Sequence, residues 1–574
     1  MLLSPLRVRG LRCLRQPTIS NGERCWVQFR KLSPCRPHRC IATGRSDQLL
    51  GCLLAFSFHT LNTWEAVTDA YWRGILLTHN AVIRFLVEPA KASPDTVVLT
   101  DAQTGQTTTR QELLEEAQKV ARLLLERRVV AEQRVLMCCL DTKAFLAWFW
   151  GTMWIGAVPV PVSTMLTEKD YDFLLEDSRA VGLVVSTELR ESIGKATDHQ
   201  PFLLWTQIDD EVPDLEGKVE LGGPFPAVDD DIAFWLYTSG TTGFPKGAMH
   251  RHIDLAFCTD MYAKSVLDMN KDDVIYSVAK LFFAYGLGNA GYFPAGVGAR
   301  AVLNPGRPLP EDISDHLRAH RPTIFFGVPT SYGQLLSSEI PDDTFESVRL
   351  AVSAGEPLPA DIHRRFKQRF GVEILDGLGT TELAHIAISN RPGRSVAGTS
   401  GTVVDGYEVS IRDEIGNEVA EGEAGMLHIK GESVMVGYWN RTERTRQALV
   451  GEFLATGDTY VRNSDGTYSC LGRSDDMLKV GGIWVSPTEV ESCVLELAEI
   501  SQVAVVGAED EEGLVKPKAY VVLEATSKDT EISTLVQEHV RSRLAPYKYP
   551  RWVEIVDELP QTATGKIKRY LLRS

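Results

Sequence analysis

Long apolar runs are missing from the N-terminal part of this chain. The longest near the N-terminus, Leu49 to Phe58, has ten residues and is too short to cross a bilayer as a helix. No membrane span is expected. Cysteine pairs at metal-binding spacing are missing as well: ten cysteines are present, none in a C-x-x-C pair. Five of them (Cys13, Cys25, Cys35, Cys40, Cys52) precede residue 53. The others lie in apolar surroundings such as Val135 to Leu140, the pattern of reduced core cysteine rather than of a disulfide framework. Positive charge is scarce over most of the length. Residues 1–46 hold nine arginines and Lys31 against Glu23, a net of +9, and with −16 for the whole chain the remainder stands at −25. So acidic a body argues against a general nucleic-acid binder. Any anionic ligand must therefore be held by individual lysines and arginines. There is no internal repeat, and no G-x-S-x-G elbow offers a serine nucleophile.

What is present centres on Tyr237 to His250. Ala233 to Tyr237 predicts a short buried strand, and Thr238 to Thr242 follow with no apolar side chain. From Thr238 to Gly247 the chain places four hydroxyls, three glycines and Lys246. Glycines let backbone N–H groups turn inward on an anion, hydroxyls add donors and lysine adds a charge, so this composition predicts a phosphate loop. An ordinary surface turn is the competing reading, against which the order of strand, hydroxyls, glycines and lysine argues. The Walker-type loop requires Ser or Thr after Gly-Lys; here Lys246 lies between Pro245 and Gly247. A second glycine pattern, Gly286, Gly288 and Gly291, fits the dinucleotide fingerprint, but the next strand-like run ends in Asn304-Pro305-Gly306 instead of an acid.

Residues 1–77 show no regular pattern. Met1 to Arg15 is Leu/Arg-rich and free of acids, in the manner of a mitochondrial transit peptide; an idle extension from a wrongly assigned start is the alternative. Beyond residue 78, Thr109 to Glu112 form a capping box opening a helix with Leu113, Ala117, Val120, Ala121 and Leu124 on its apolar face. Strand-like runs at 134–140, 156–162, 182–186, 233–237, 299–303, 323–328, 348–353 and 372–375 alternate with helical ones. This predicts an α/β fold, a large multi-layer domain with parallel sheets over 78–472. The pattern changes at a polar linker, 473–476. A small, mobile α+β domain is expected over 477–574, with helices near 487–497 and 532–544 and strands at 502–506, 518–523 and 552–556.

The phosphate loop, with Asp376 to Glu382, Thr456-Gly457-Asp458 and Leu559 to Arg569 in the same order, resembles the adenylate-forming superfamily, the AMP-forming acyl-CoA synthetases and their relatives. The resemblance covers roughly residues 78–574 and implies ATP, Mg2+ and coenzyme A as cofactors and substrates. It implies that Thr238, Ser239, Gly240, Thr241, Thr242, Gly243 and Lys246 hold phosphate, that Thr381 contacts it and that Glu382 is the metal ligand. It further implies that Ala354, Gly355 and Glu356 flank the adenine beside Asp376 and Gly377, and that Asp458 and Arg473 hold the ribose. Lys566 would reach the α-phosphate, Asp475 would be the hinge, and Gly481 and Gly482 would form the loop beside the thiol channel. Read alone, Glu382 is a helix-capping residue, Asp458 a turn former and Lys566 a solvated charge.

The finer resemblance is to benzoate–CoA ligases, on Lys280 to Asn289, Phe325 to Pro329, His385-Ile386, Gly482 to Pro487 and Leu544 to Trp552. Phe283, Ala284, Tyr285, Gly286, Leu378, Gly379, His385 and Ile386 would form a flat, short, mainly apolar slot suited to one aromatic ring. Amino-acid-activating relatives place an aspartate where Ala284 stands. Leu383-Ala384 replaces a larger pair and implies a wider slot. The expected reaction joins an aromatic carboxylic acid to coenzyme A through an acyl-AMP, in a monomer or homodimer with no nucleic-acid partner. Transfer to a carrier-protein thiol, a medium-chain acid, and nucleotide binding without catalysis are the alternatives. The expected location is cytoplasmic, or the mitochondrial matrix if residues 1–46 are a transit peptide.

Overall fold

Thr109 opens the first long helix as its capping box predicts. Its hydroxyl accepts from Glu112 N at 3.2 Å, and Glu112 Oε2 accepts from Thr109 N at 2.7 Å. The helix Arg110–Glu126 buries Leu113, Ala117, Val120, Ala121 and Leu124. Its neighbour Lys143–Trp154 buries every residue from Phe145 to Trp154, as an all-round apolar helix must. The computed structural model describes residues 80–211, 220–238, 245–474, 476–480, 483–510, 514–524, 531–561 and 567–573. The N-terminal extension lies outside them. No helix among the described residues is long and apolar enough to cross a membrane.

Each strand-like run from 134 to 375 becomes a strand. Among the described residues the largest sheet has nine strands, six of which run parallel in the order Ile374–Gly379, Leu350–Ser353, Ile324–Gly327, Val274–Ser277, Arg300–Leu303 and Val97–Asp101. Val158–Pro161, Arg134–Cys138, Gly182–Val185 and Trp205–Ile208 form a second, wholly parallel sheet. Strands covered on both faces need apolar residues at every position, which explains why these runs stand out.

A third layer departs from the parallel expectation. Tyr407–Arg412, Ala424–Gly431, Phe453–Arg462, Leu449–Val450 and Tyr468–Arg473 pair antiparallel, with the helix Thr442–Ala448 between Ala424–Gly431 and Leu449–Val450. A small antiparallel sheet is built from Ile232–Thr238, Lys246–Arg251 and Gly437–Tyr438.

After residue 477 the chain forms the helices Pro487–Val494 and Ile532–Arg543 and the strands Ile500–Glu509, Val515–Leu523 and Trp552–Ile555. These gather around a core of their own that includes Val490, Val494, Val505, Val521, Val536 and Val540.

Candidate active site

The two strands that flank the expected phosphate loop pair with each other. Ile232–Thr238 and Lys246–Arg251 pair antiparallel, with Thr238 opposite Lys246 as the last register pair. The chain thus returns as a strand, where a Walker loop would enter a helix. Ser239, Gly240, Thr241, Thr242 and Gly243 lie outside the described residues, as do Asp475, Gly481, Gly482 and Lys566.

Lys246 stands half-buried beside the turn Thr381–Leu383. Burial lowers the pKa of its ammonium; the Glu382 carboxylate opposes that shift, and Arg444 and Arg473 add to it. Four charged groups therefore share one field. Two residues that sequence reasoning did not assign organise it. Tyr438 donates its hydroxyl to Glu382 Oε1 at 2.7 Å, while Lys246 Nζ sits 4.4 Å from the centre of the Tyr438 ring. His250, fully buried, places Nε2 2.7 Å from the carbonyl of Thr381 and Nδ1 3.0 Å from Asp254 Oδ2. The Glu382 carbonyl accepts from Met435 N at 2.8 Å. His250 was visible as the last residue of the loop stretch, but nothing in sequence spacing ties it to residue 381.

Asp458 and Arg473 face each other across paired strands, with Arg473 Nη1 donating to Asp458 Oδ1 and to the carbonyl of Thr456, both at 3.0 Å. Between them Gly457 adopts φ +76°, and a Cβ there would lie 2.7 Å from Arg473 Nη2. Only glycine leaves the guanidinium its place.

Ala354, Gly355 and Glu356 follow the strand Leu350–Ser353, at the carboxyl end of the parallel sheet, with Ser353 opposite Asp376 on the next strand. Ligands of open α/β sheets bind at that end. Asp376 turns its carboxyl inward: it is buried, and Oδ2 takes the Leu358 N–H at 3.4 Å. Burial raises its pKa to about 8, with the Leu358 N–H opposing. Asp376 thus ties the end of its strand to the 354–358 loop, and Gly377 continues the strand beyond it.

The slot residues come together around His385. Its ring is 5.5 Å from Tyr285, 5.2 Å from Tyr262 and 4.4 Å from Phe293. Nε2 lies 3.0 Å from Asn289 Oδ1, and burial pushes the ring's pKa down to about 3, so it stays neutral. Gly379 pairs with Ile386, and a Cβ on Gly379 would stand 2.6 Å from the His385 carbonyl. Leu378 is half-buried on the same strand. Phe283 precedes the short helix Ala284–Gly286, in which Ala284 is buried, and Tyr285 donates to the Val352 carbonyl at 3.1 Å. Gly286 serves packing: a Cβ would meet the Lys280 carbonyl at 2.0 Å. The dinucleotide-like glycines are a packing surface too, since a Cβ on Gly288 would stand 2.3 Å from the His385 ring. Leu383 and Ala384 are both buried, and Ala384 holds φ +61°, a conformation costly for larger side chains.

One further group of potential metal ligands, Cys493, Glu496 and His539, has its donor atoms within 4.8 Å of one another. Arg543 already meets it, with Nε 2.8 Å from Glu496 Oε2 and Nη1 3.1 Å from His539 Nδ1. That guanidinium supplies the compensating charge.

Comparison with known proteins identifies the family. The AMP-binding enzyme family matches residues 86–439, and the AMP-binding enzyme C-terminal domain matches residues 489–566. The chain is 46% identical over 464 residues to a benzoate–CoA ligase of Thauera aromatica, covering 77% of this chain and 86% of the relative. It is 42% identical over 479 residues to a 4-hydroxybenzoate–CoA/benzoate–CoA ligase of Rhodopseudomonas palustris, covering 80% and 88%. The crystal structure of a benzoate CoA ligase from Burkholderia xenovorans superposes with a TM-score of 0.80 at 41% identity, covering 87% of this chain and all of that one.

Proposed function

The chain belongs to the AMP-binding enzyme family, and from that premise we propose how its residues divide the work of joining an aromatic carboxylic acid to coenzyme A. The reaction is ATP-dependent and runs through an acyl-AMP. A carboxylate oxygen of the acid attacks the α-phosphorus of ATP, forming the mixed anhydride and expelling pyrophosphate. The sulfur of coenzyme A then attacks the acyl carbon, the thiol proton is lost and AMP leaves. Both steps gain from fixed geometry and from charge already in place, without a protein nucleophile.

The observation that carries the assignment of residues is the continuity of one short stretch. Leu378, Gly379, His385 and Ile386 belong to the apolar slot, and Thr381 and Glu382 between them stand beside Lys246. A ring held against His385 would keep its carboxylate near the phosphate side. Lys246 and Thr381 would hold phosphate, Asp458 and Arg473 the ribose, and Ala354 to Glu356 the adenine side. Asp376 would act from behind, keeping the 354–358 loop in place. Mg2+ fits the donor set, since Glu382 offers a hard carboxylate oxygen and such an ion keeps several waters; when bound it would neutralise phosphate charge. Lys566 would reach the α-phosphate in the first step, and a turn about Asp475 would exchange it for the Gly481–Gly482 loop in the second. The slot's occupant is benzoate or a substituted benzoate.

Incubating purified protein with ATP, Mg2+ and a panel of acids tests this reading. Benzoate, hydroxybenzoates and aminobenzoates should give AMP, pyrophosphate and, with free coenzyme A, the thioester; hexanoate should not. Turnover of hexanoate in preference to every aromatic acid would contradict the slot.

A further inference from the structure

The strand Gly437–Tyr438 pairs with Lys246–Arg251 so that Tyr438 stands opposite Ala248. Lys246 is then the diagonal neighbour two positions along, within reach of an aromatic side chain. Tyr438 is 7% exposed, and its backbone is anchored by Thr445 Oγ1, which accepts from Tyr438 N at 3.0 Å. Its two contacts are of opposite sign. The hydroxyl gives its proton to Glu382 Oε1 at 2.7 Å, and the ring face receives the Lys246 ammonium at 4.4 Å.

A lysine and a glutamate in one half-buried site are expected to pair. Among the described residues Lys246 and Glu382 do not pair directly; each engages Tyr438. The electron-rich ring face attracts the ammonium without neutralising it. The phenol satisfies one carboxylate oxygen and leaves the other free. A direct ion pair would quench the charge meant for phosphate and the charge meant for a cation at once.

We propose that Tyr438 is a positioning residue for the adenylation step, an aromatic spacer that keeps Lys246 and Glu382 apart and aimed until the nucleotide and its divalent cation arrive. The inference rests on the reading of Lys246 and Glu382 given above. It also explains why tyrosine stands here: phenylalanine would lose the hold on Glu382, and an aliphatic residue would lose the seat for Lys246 as well.

Tyr438→Phe removes only the hydroxyl and tests this directly. The concentration of Mg2+ for half-maximal adenylation should rise about fivefold or more, with kcat for that step down about tenfold. Mn2+ affinity in the ATP complex, read by electron paramagnetic resonance without turnover, should weaken by a similar factor. Conversion of synthetic benzoyl-AMP by coenzyme A, which needs neither ATP nor metal, should stay within about twofold of wild type. Tyr438→Leu should add a rise in KM for ATP as Lys246 falls onto Glu382. Unchanged Mn2+ affinity and Mg2+ dependence in Tyr438→Phe would overturn the proposal, as would equal losses in both half-reactions. If the wild-type protein ligated no acid at all, the functional reading would fall, while the Mn2+ comparison would still decide the role of Tyr438.

Discussion

His250 bridges Asp254 and Thr381, with 3.0 Å to the carboxylate on one side and 2.7 Å to the carbonyl on the other. A carbonyl only accepts, so Nε2 donates to Thr381, and the contact between Nδ1 and the Asp254 carboxyl shares a second proton. Through this ring the helix His252–Cys258 supports the turn that bears Glu382. His250→Ala removes two buried hydrogen bonds and should cost about 1–3 kcal/mol of stability. Because Glu382 hangs on that turn, kcat/KM for ATP should also fall at temperatures well below the melting transition. Thermal unfolding measured alongside ATP kinetics checks this. A lowered Tm with unchanged kcat/KM would make the bridge purely structural.

Asp376 gives the fold a pH dependence of definite sign. Burial raises its carboxyl to about 8 in the folded protein, against about 3.9 for an unfolded aspartate. Between those values the folded chain holds a proton that the unfolded chain has released, so this residue's contribution to stability falls as pH rises through the window. Asp376→Asn keeps the shape and abolishes the titration. Relative to wild type, the variant should gain stability steadily from pH 5 to pH 8 in urea unfolding. Parallel stability curves across that range would show that Asp376 is already ionised.

Much of the fold was legible in the sequence. Parallel strands covered on both faces must be continuously apolar, and Ile324–Gly327 has no polar residue while Leu350–Ser353 has one only at its end. The antiparallel layer from Tyr407 to Arg473 was not legible, since strands such as Ala424–Gly431 mix exposed and buried positions. The dinucleotide-like glycines had the right spacing, but Gly286 packs against the Lys280 carbonyl and Gly288 against His385. Tyr438 and His250 escaped notice because their partners lie 56 and 131 residues away in sequence. Ala384, taken as a sign of a wider slot, also carries φ +61°, which favours a small residue whatever the slot holds.

Lys566 and Lys246 should separate kinetically. If Lys566 serves only adenylation, Lys566→Ala should slow acyl-AMP formation by about 10²–10³, the range for loss of one preorganised transition-state donor. Synthetic benzoyl-AMP with coenzyme A should still react at close to the wild-type rate. Asp475→Pro should show the reverse, since proline fixes φ and restricts a hinge. Single-turnover kinetics of each half-reaction decides; equal slowing of both halves by Lys566→Ala would exclude an alternating role.

The acyl-AMP itself can be followed by isotope. Benzoate labelled with 18O in both carboxylate oxygens, turned over with ATP, Mg2+ and coenzyme A, should pass one labelled oxygen to the phosphate of AMP. The attacking oxygen stays on the α-phosphorus when the thiol takes the acyl group. Mass spectrometry of the nucleotide product should therefore show AMP heavier by a single 18O, alongside benzoyl-CoA and unlabelled pyrophosphate. Release of ADP, with the label in inorganic phosphate, would contradict the account at its centre.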